Sequence, residues 1–273
     1  MKKRRNMAVL AALVLGSSTA AFAADPVNLT TSVEVVGADY CGIDVSAAGQ
    51  NSWSLNWTLA NAGDASGTLA LADGSGTDPL FVNVMVQPGS SSACNLSGMT
   101  FGASLPTATH VDDGGKGAFK VATPLGGYWR YMPVVARLDA FTDAAGATNG
   151  KGEIARDKIM VLDGMSTPYD QSLSAVQAAQ TDVSGVADFG TQSAMALTDN
   201  YLATNGVVPL STGGNGNALS FSAGTGNTVR SVKIGVGALV AKNPEGEDGQ
   251  VKTDAIGNNG VISLPFTVNV DNP

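Results

Sequence analysis

The chain has 273 residues, of which 44% are hydrophobic and 14% charged, and its formal net charge is −8. That apolar content excludes a disordered chain, and the acidic balance excludes a field that gathers nucleic acid or anionic membrane. Beyond the first five residues there is no Lys/Arg cluster to make a local exception.

The N-terminus reads as a secretory leader. Lys2, Lys3, Arg4 and Arg5 form a basic head, an apolar run follows from Met7, and Ala21-Phe22-Ala23 matches the pattern that signal peptidase cuts after. An apolar run of roughly 10 residues is too short for a helix across a ~30 Å bilayer core. Residues 1–23 are therefore expected to be a cleaved signal peptide, with an uncleaved anchor as the alternative. Loss of its four basic residues leaves 11 basic against 23 acidic residues, a net charge of −12. The two cysteines, Cys41 and Cys94, would meet an oxidising compartment, where one disulfide is the default and two buried free thiols the alternative. A zinc site would need carboxylates, because two Cys and the single His110 do not fill a four-ligand shell.

Period-two alternation dominates the mature chain and predicts strands. It runs through Val27–Val35 and Trp53–Leu59, each with its odd positions mostly apolar. Val82, Val84 and Val86 alternate next, before the turn at Pro88-Gly89. Phe119–Val121, Tyr128–Leu138, Lys158–Leu162 and Ser231–Val240 read as further strands. The last, Val261–Val270, sets Ile262, Leu264, Phe266, Val268 and Val270 on one face, with Pro265 on the other, which suits an edge or a locally unpaired position. Abundant Gly and small polar residues between these runs suit turns. Residues 166–205 break the pattern. Thr167-Pro168-Tyr169-Asp170 looks like a helix start before Ala- and Gln-rich sequence, and Gln192–Ala203 offers a second helical stretch. The predicted fold is all-β, a sandwich in one domain with a small helical insertion.

Chemistry is sparse. A Ser-His-Asp triad has only His110 to draw on, expected in an exposed loop, and no G-x-S-x-G occurs. Gly213-Gly214-Asn215-Gly216 lacks the Lys-Ser/Thr of a phosphate loop. Asp112 with Asp113, and Glu245 with Glu247 and Asp248, are the visible carboxylate clusters; they are expected to be solvated loop acids, and neither has EF-hand spacing. No catalytic residue, cofactor or metal is assigned, and the protein is not expected to be an enzyme. Tyr128-Trp129-Arg130-Tyr131, after Gly126-Gly127, is an aromatic strand. Tyr128, Trp129 and Tyr131 are candidate glycan contacts, against the plainer reading of a strand with one side in the core.

Both ends of the mature chain resemble a pilin subunit of the chaperone–usher fimbrial family. An alternating segment follows the leader and runs into Glu34-Val35-Val36-Gly37-Ala38-Asp39-Tyr40-Cys41, which resembles the Glu-Val-Val-x-Ala-x-Cys stretch of type 1-like pilins. A second cysteine follows, and the chain ends on an alternating strand with Gly260 ahead of it. It departs from the family in having Asn272 where a penultimate Tyr is common, and Thr30 and Thr31 where the extension often has Gly. It is also far longer than an ordinary pilin, as larger subunits with helical insertions and binding activity are.

The resemblance implies an immunoglobulin-like sandwich over 37–273 that lacks its last strand, preceded by a donor-strand extension at 24–36. The inserted face would be Val27, Leu29, Thr31, Val33 and Val35. Ile262, Leu264, Phe266, Val268 and Val270 would line the groove or pair with a periplasmic chaperone's strand. The partners implied are that chaperone, an outer-membrane usher, identical or related fimbrial subunits and a host glycan, with the cell-surface fimbrium as destination and no nucleic acid. The competing readings are a secreted carbohydrate-binding β-sandwich that does not polymerise, and a glycan-active enzyme using carboxylates.

Overall fold

The structure is a computed structural model that describes residues 25–36, 41–49, 52–61, 63–72, 78–104, 110–112, 119–162, 168–169, 173–175, 180–181, 194–197, 200–202, 208–210, 218–256 and 262–271. The leader with its cleavage site, residues 37–40 of the Glu34–Cys41 stretch, Asp113, the Gly213–Gly216 run, Gly260 and Asn272 lie outside the described residues.

Two sheets make a sandwich, as the alternation predicts. The first runs in the order β11 (Pro168–Tyr169), β10 (Met160–Leu162), β17 (Leu219–Ser222), β6 (Thr100–Ser104), β20 (Phe266–Asp271), β1 (Asp25–Val36), β3 (Ser52–Thr58) and β4 (Thr68–Leu71), with β19 (Ile262–Ser263) also beside β1. The second runs β13 (Gln180–Thr181), β14 (Ala194–Ala196), β18 (Ser231–Ala241), β9 (Tyr128–Phe141), β8 (Phe119–Ala122) and β7 (His110–Asp112). On it, β5 (Leu80–Val86) pairs with β18, β2 (Ile43–Ala48) with β5, and β16 (Val208–Pro209) with β9. A separate ribbon joins β12 (Leu173–Ala175) to β15 (Asn200–Leu202). Among the described ladders, only those of β1 with β19 and β20 are parallel.

Where side chains are described, β3, β5 and β18 bury the side that their alternation marks. Trp53, Leu55 and Trp57 of β3 face inward, as do Val82, Val84 and Val86 of β5 and Val232, Ile234 and Val236 of β18. Trp57 meets Trp129 edge-on, with ring centroids 5.8 Å apart, and so stitches the two sheets across the core. Neither indole N–H is left unpaired there: Trp57 Nε1 donates to Asn243 Oδ1 at 3.1 Å and Trp129 Nε1 to the Ala241 carbonyl at 2.8 Å. The Cys41–Cys94 disulfide is present, with Cα atoms 5.6 Å apart, and ties the start of β2 to the loop after β5. Among the described residues, no helix is long and apolar enough to cross a membrane.

The helical insertion expected at 166–205 needs correction at its described residues, the rest of that span lying outside them. Its described residues form β11 to β15 instead, and none of them is helical. Helix propensity separates residues by only tenths of a kcal/mol each, about 0.7 at most for ordinary ones, and a helix without a continuous apolar stripe gains little from packing. Pairing on the sheets offers more. β14 adds to the edge of β18, and Met195 and Leu197 enter the core. The helices that do form among the described residues lie elsewhere and are short: α1 (Gly146–Asn149) and a 3-10 turn at Arg156–Lys158.

The aromatic strand begins at a point of close approach. Tyr128 and Glu245 exchange backbone hydrogen bonds of 2.7 and 2.8 Å. Gly127, at φ +94°, lies so near that a Cβ there would run into the Glu245 carbonyl oxygen, while at Gly126, φ +89°, it would make only an ordinary contact with Lys252 Cε at 3.9 Å. Gly127 thus lets β9 come close against the Glu245 backbone. Gly126→Ala should cost only the positive-φ penalty, about 1–2 kcal/mol, whereas Gly127→Ala should lose about 3 kcal/mol or more, as read by chemical denaturation. Replacing both cysteines with Ser should cost about 4 kcal/mol, or roughly 8–16 °C in Tm for a chain of this size.

Candidate assembly interface

β1 has the composition of a strand. Thr30, Thr31, Val33, Val35 and Val36 are β-branched, and its one proline, Pro26, is its second residue, where a missing N–H does little harm. Its two halves have different neighbours. Asp25 to Thr30 lies antiparallel to β3, with Val27 opposite Leu55 and Leu29 opposite Trp53. Thr31 to Val36 lies parallel to β20, with Thr31 opposite Phe266, Val33 opposite Val268 and Val35 opposite Val270. On the same edge as β20, Val27 is also opposite Ile262 of β19.

One register therefore holds along the whole C-terminal segment, from Val27–Ile262 to Val36–Asp271. The ladder skips Leu264 and Pro265, the position where the sequence places a residue with no N–H to give. All five odd residues of β1 named from the sequence come opposite inward-facing partners. Trp53, Leu55, Ile262, Phe266, Val268 and Val270 are each 3% exposed or less, and Leu264 is 0% exposed. The N-terminal segment and the C-terminal row, singled out separately in the sequence, thus meet in one sheet of the same chain. The resemblance implies a sandwich with an open groove. Here β1 occupies the place between β3 and β20, and the sheet is continuous across it.

On its C-terminal side β1 is anchored close by. β1 ends at Val36, and Cys41, bonded to Cys94, pins the chain a few residues later. From Asp25 to Val36 the ladders to β3, β19 and β20 are what connect the arm to the body. Parallel pairing is slightly less stable per residue than antiparallel, so the half along β20 is the more weakly held by its backbone.

The aromatic strand is a different matter. Trp129 and Tyr131 are both 0% exposed, so of the three candidate glycan contacts only Tyr128 can meet a ligand. The Tyr131 hydroxyl donates to the Pro265 carbonyl at 2.5 Å, which ties the second sheet to the break in the C-terminal strand. Burial pushes the Tyr131 phenol well above its ordinary pKa. Tyr128 is half-buried, its hydroxyl 3.2 Å from Glu247 Oε1 and its ring centroid 5.8 Å from Lys120 Nζ.

Two expectations about polar residues also change. Glu245 is no solvated loop acid: it is buried and makes a 3.0 Å ion pair with Arg130. Glu247 and Asp248 are exposed, and Asp248 accepts the Gln250 amide in its own turn. His110 lies on β7, opposite Val121, and not in a loop. Sequence reasoning passed over one charged cluster, Asp139 with Arg137 and Arg156. Its signal was available, because Arg137 and Asp139 are two apart on a strand and share a face. The distant Arg156 had no such mark. Comparison of the chain with family models, with curated proteins and with solved structures gives no match.

Proposed function

We propose that this chain is a structural subunit of a bacterial surface fimbria, exported through the periplasm and polymerised by exchange of its N-terminal strand. The observation that carries the reading is β1, which completes the first sheet alongside the C-terminal strand while belonging to the opposite end of the chain. A terminal strand held by ladders and joined to the body through one short link is the kind of element that transfers between identical copies, because each contact it makes at home is available again in a neighbour. The receiving site would be the row Ile262, Leu264, Phe266, Val268 and Val270, flanked by Trp53 and Leu55 of β3. Main-chain pairing gives general affinity, and alternate side chains give register. Burial of three Val or Leu side chains contributes roughly 5–8 kcal/mol before ordering costs. With β1 out of its slot that apolar row would face water, which is the need a periplasmic chaperone meets before an usher delivers the subunit.

One feature favours a second reading. Because β1 closes its own sheet, a single chain is a complete sandwich, which suits a secreted carbohydrate-binding protein that never polymerises.

One experiment tests the slot that both readings share, and a second separates them. Deletion of residues 24–36 should lower Tm by roughly 10–20 °C, the equivalent of about 5 kcal/mol in a chain of this size, and a synthetic peptide of residues 25–36 added in trans should restore it saturably. Failure of the peptide to bind would remove the slot from the account. Secretion with chaperone and usher should yield high-mass ladders that survive boiling in detergent and fibres visible by electron microscopy. Leu29→Asp with Val33→Asp should abolish both. A chain that stays monomeric under those conditions is the non-polymerising protein.

A further inference from the structure

The outer face of the second sheet carries a cluster that assembly does not use. On β9, Arg137 and Asp139 point away from the core, as do Lys233 on β18 and Phe81 and Asn83 on β5, whose even-numbered neighbours fill the interior. Register puts Asn83 opposite Lys233, and Lys233 opposite Asp139, in one row across three strands. In the next row Phe81 and Arg137 flank Gly235. A Cβ on Gly235 would come 2.9 Å from the Arg137 Cβ and 3.1 Å from the Phe81 ring, so the two side chains close over the glycine and lie together.

The charges are unequal. Asp139 is 3% exposed and receives both arginines: Arg137 Nε donates to Oδ2 at 2.7 Å, while Arg156 Nε and Nη2 reach Oδ1 at 3.2 and 3.1 Å. Lys233 does not join them. Its ammonium lies 4.3 Å from the Phe81 centroid. Two cations therefore hold one buried carboxylate, and a third stands at the neighbouring register position, on a chain whose overall charge is strongly negative. The two arginine side chains are each about a third exposed. Arg137 meets Asp139 through Nε and Arg156 through Nε and Nη2, so each guanidinium keeps N–H donors not used on Asp139, of the kind that suits carboxylate or sulfate oxygens. Glu153 and Asp157, on the same loop as Arg156, are exposed, and among the described residues neither pairs with these cations.

Asn83 adds a separate sign. It is 5% exposed, and its Oδ1 has no hydrogen-bond donor. A buried acceptor left unmet costs about 1–3 kcal/mol; this one is closed to solvent, and a shift of the neighbouring Lys233 side chain would either meet it or open it to a hydroxyl donor. The loop over 142–158 frames the patch, held by Ala147 N donating to Ser231 Oγ at 3.0 Å and by Arg156 on Asp139.

We infer that this face is a binding site for acidic saccharides, with Arg137, Arg156 and Lys233 gripping the carboxylate or sulfate and Phe81 and Asn83 meeting the rest of the sugar. Asp139 takes no ligand. It orients the two guanidinium groups and lowers the cost of holding like charges together. An apolar ring and a hydroxyl acceptor beside the cations fit a sugar better than an acidic peptide, which would need repeated cationic positions along a groove. The inference does not rest on polymerisation and is read on the folded mature chain.

The test is titration of the mature chain, followed by NMR, with 3′-sialyllactose, lactose 3′-sulfate, neutral lactose and a hexaglutamate peptide, at low and at high salt. Both anionic sugars should bind, more weakly as salt rises, and lactose should not. Preference between the first two identifies the anionic group. Arg137→Gln should weaken binding by at least about fivefold, and because it takes a partner from the buried Asp139 it should also lower Tm. If that variant fails to fold, Lys233→Gln, which leaves both Asp139 pairs intact, should give the same loss. Equal binding of lactose and sialyllactose, no binding of either anionic sugar, unchanged affinity in a folded variant, or tighter binding of the peptide would each overturn the proposal.

Discussion

A strand that ends a chain and faces inward needs a neighbour on its open edge. β20 has β6 on one side, and its inward residues Phe266, Val268 and Val270 are fully buried. Its other edge carries backbone groups that need partners and a row of large apolar side chains that must be kept from water. β1 supplies both along one continuous register, and through its first half it also joins the C-terminal segment to β3. Without β1 the first sheet falls into two pieces, β11 to β20 and β3 with β4. The Trp57–Trp129 contact and the Tyr131 bond to Pro265 then lose their common scaffold, since one is built on β3 and the other on the C-terminal segment. A local pairing problem at one strand edge thus governs how the layers hold together.

Much of this was legible because alternation is set by the strand itself. Two side chains per repeat mark which face is buried, whatever the partner strand is. Trp53, Leu55 and Trp57 announce β3, and the Ile262 to Val270 row announces the C-terminal segment, down to the break at Pro265. What alternation does not carry is the identity of the neighbour. The pairing of Val27 to Val35 with the C-terminal row joins the two ends of the chain, and no local pattern encodes so long a separation. The described residues within 166–205 were misread for a related reason. Their Ala and Gln favour a helix weakly, whereas the open edge of β18 that took β14 belongs to a distant part of the sequence.

The candidate sites show the same limit at finer scale. Tyr128-Trp129-Arg130-Tyr131 looks like an exposed aromatic strand because four large side chains stand in a row. Yet alternation alone sends Trp129 and Tyr131 to one side, and the core across from that side has room for both. Arg130 then faces the other way and finds Glu245, which draws an apparent loop acid into a buried pair. Gly127 is legible only once that pair is known, because its lack of a Cβ serves the approach of the Glu245 backbone. The Asp139 cluster draws on β9 and on a loop that follows it, and the link is visible only after the loop has folded over the sheet.

The closed sheet also constrains how exchange can proceed under the proposed reading. Home and neighbour slots present identical groups, so a transferred β1 gains no contact that it did not already have. The home slot has the advantage of attachment: a short link gives an effective concentration on the order of mM, which free subunits rarely reach. A subunit that folds alone therefore fills itself and stays filled. For β1 to pass to a neighbour, it must be kept out of its own slot until that neighbour is presented, and the energy of closing the slot must be held back until then. A chaperone strand lying along β20 would do both, since it covers Phe266, Val268 and Val270 and blocks the arm. Polymerisation on this account is limited by the order of events in the periplasm, and the self-filled chain is the product of missing that order.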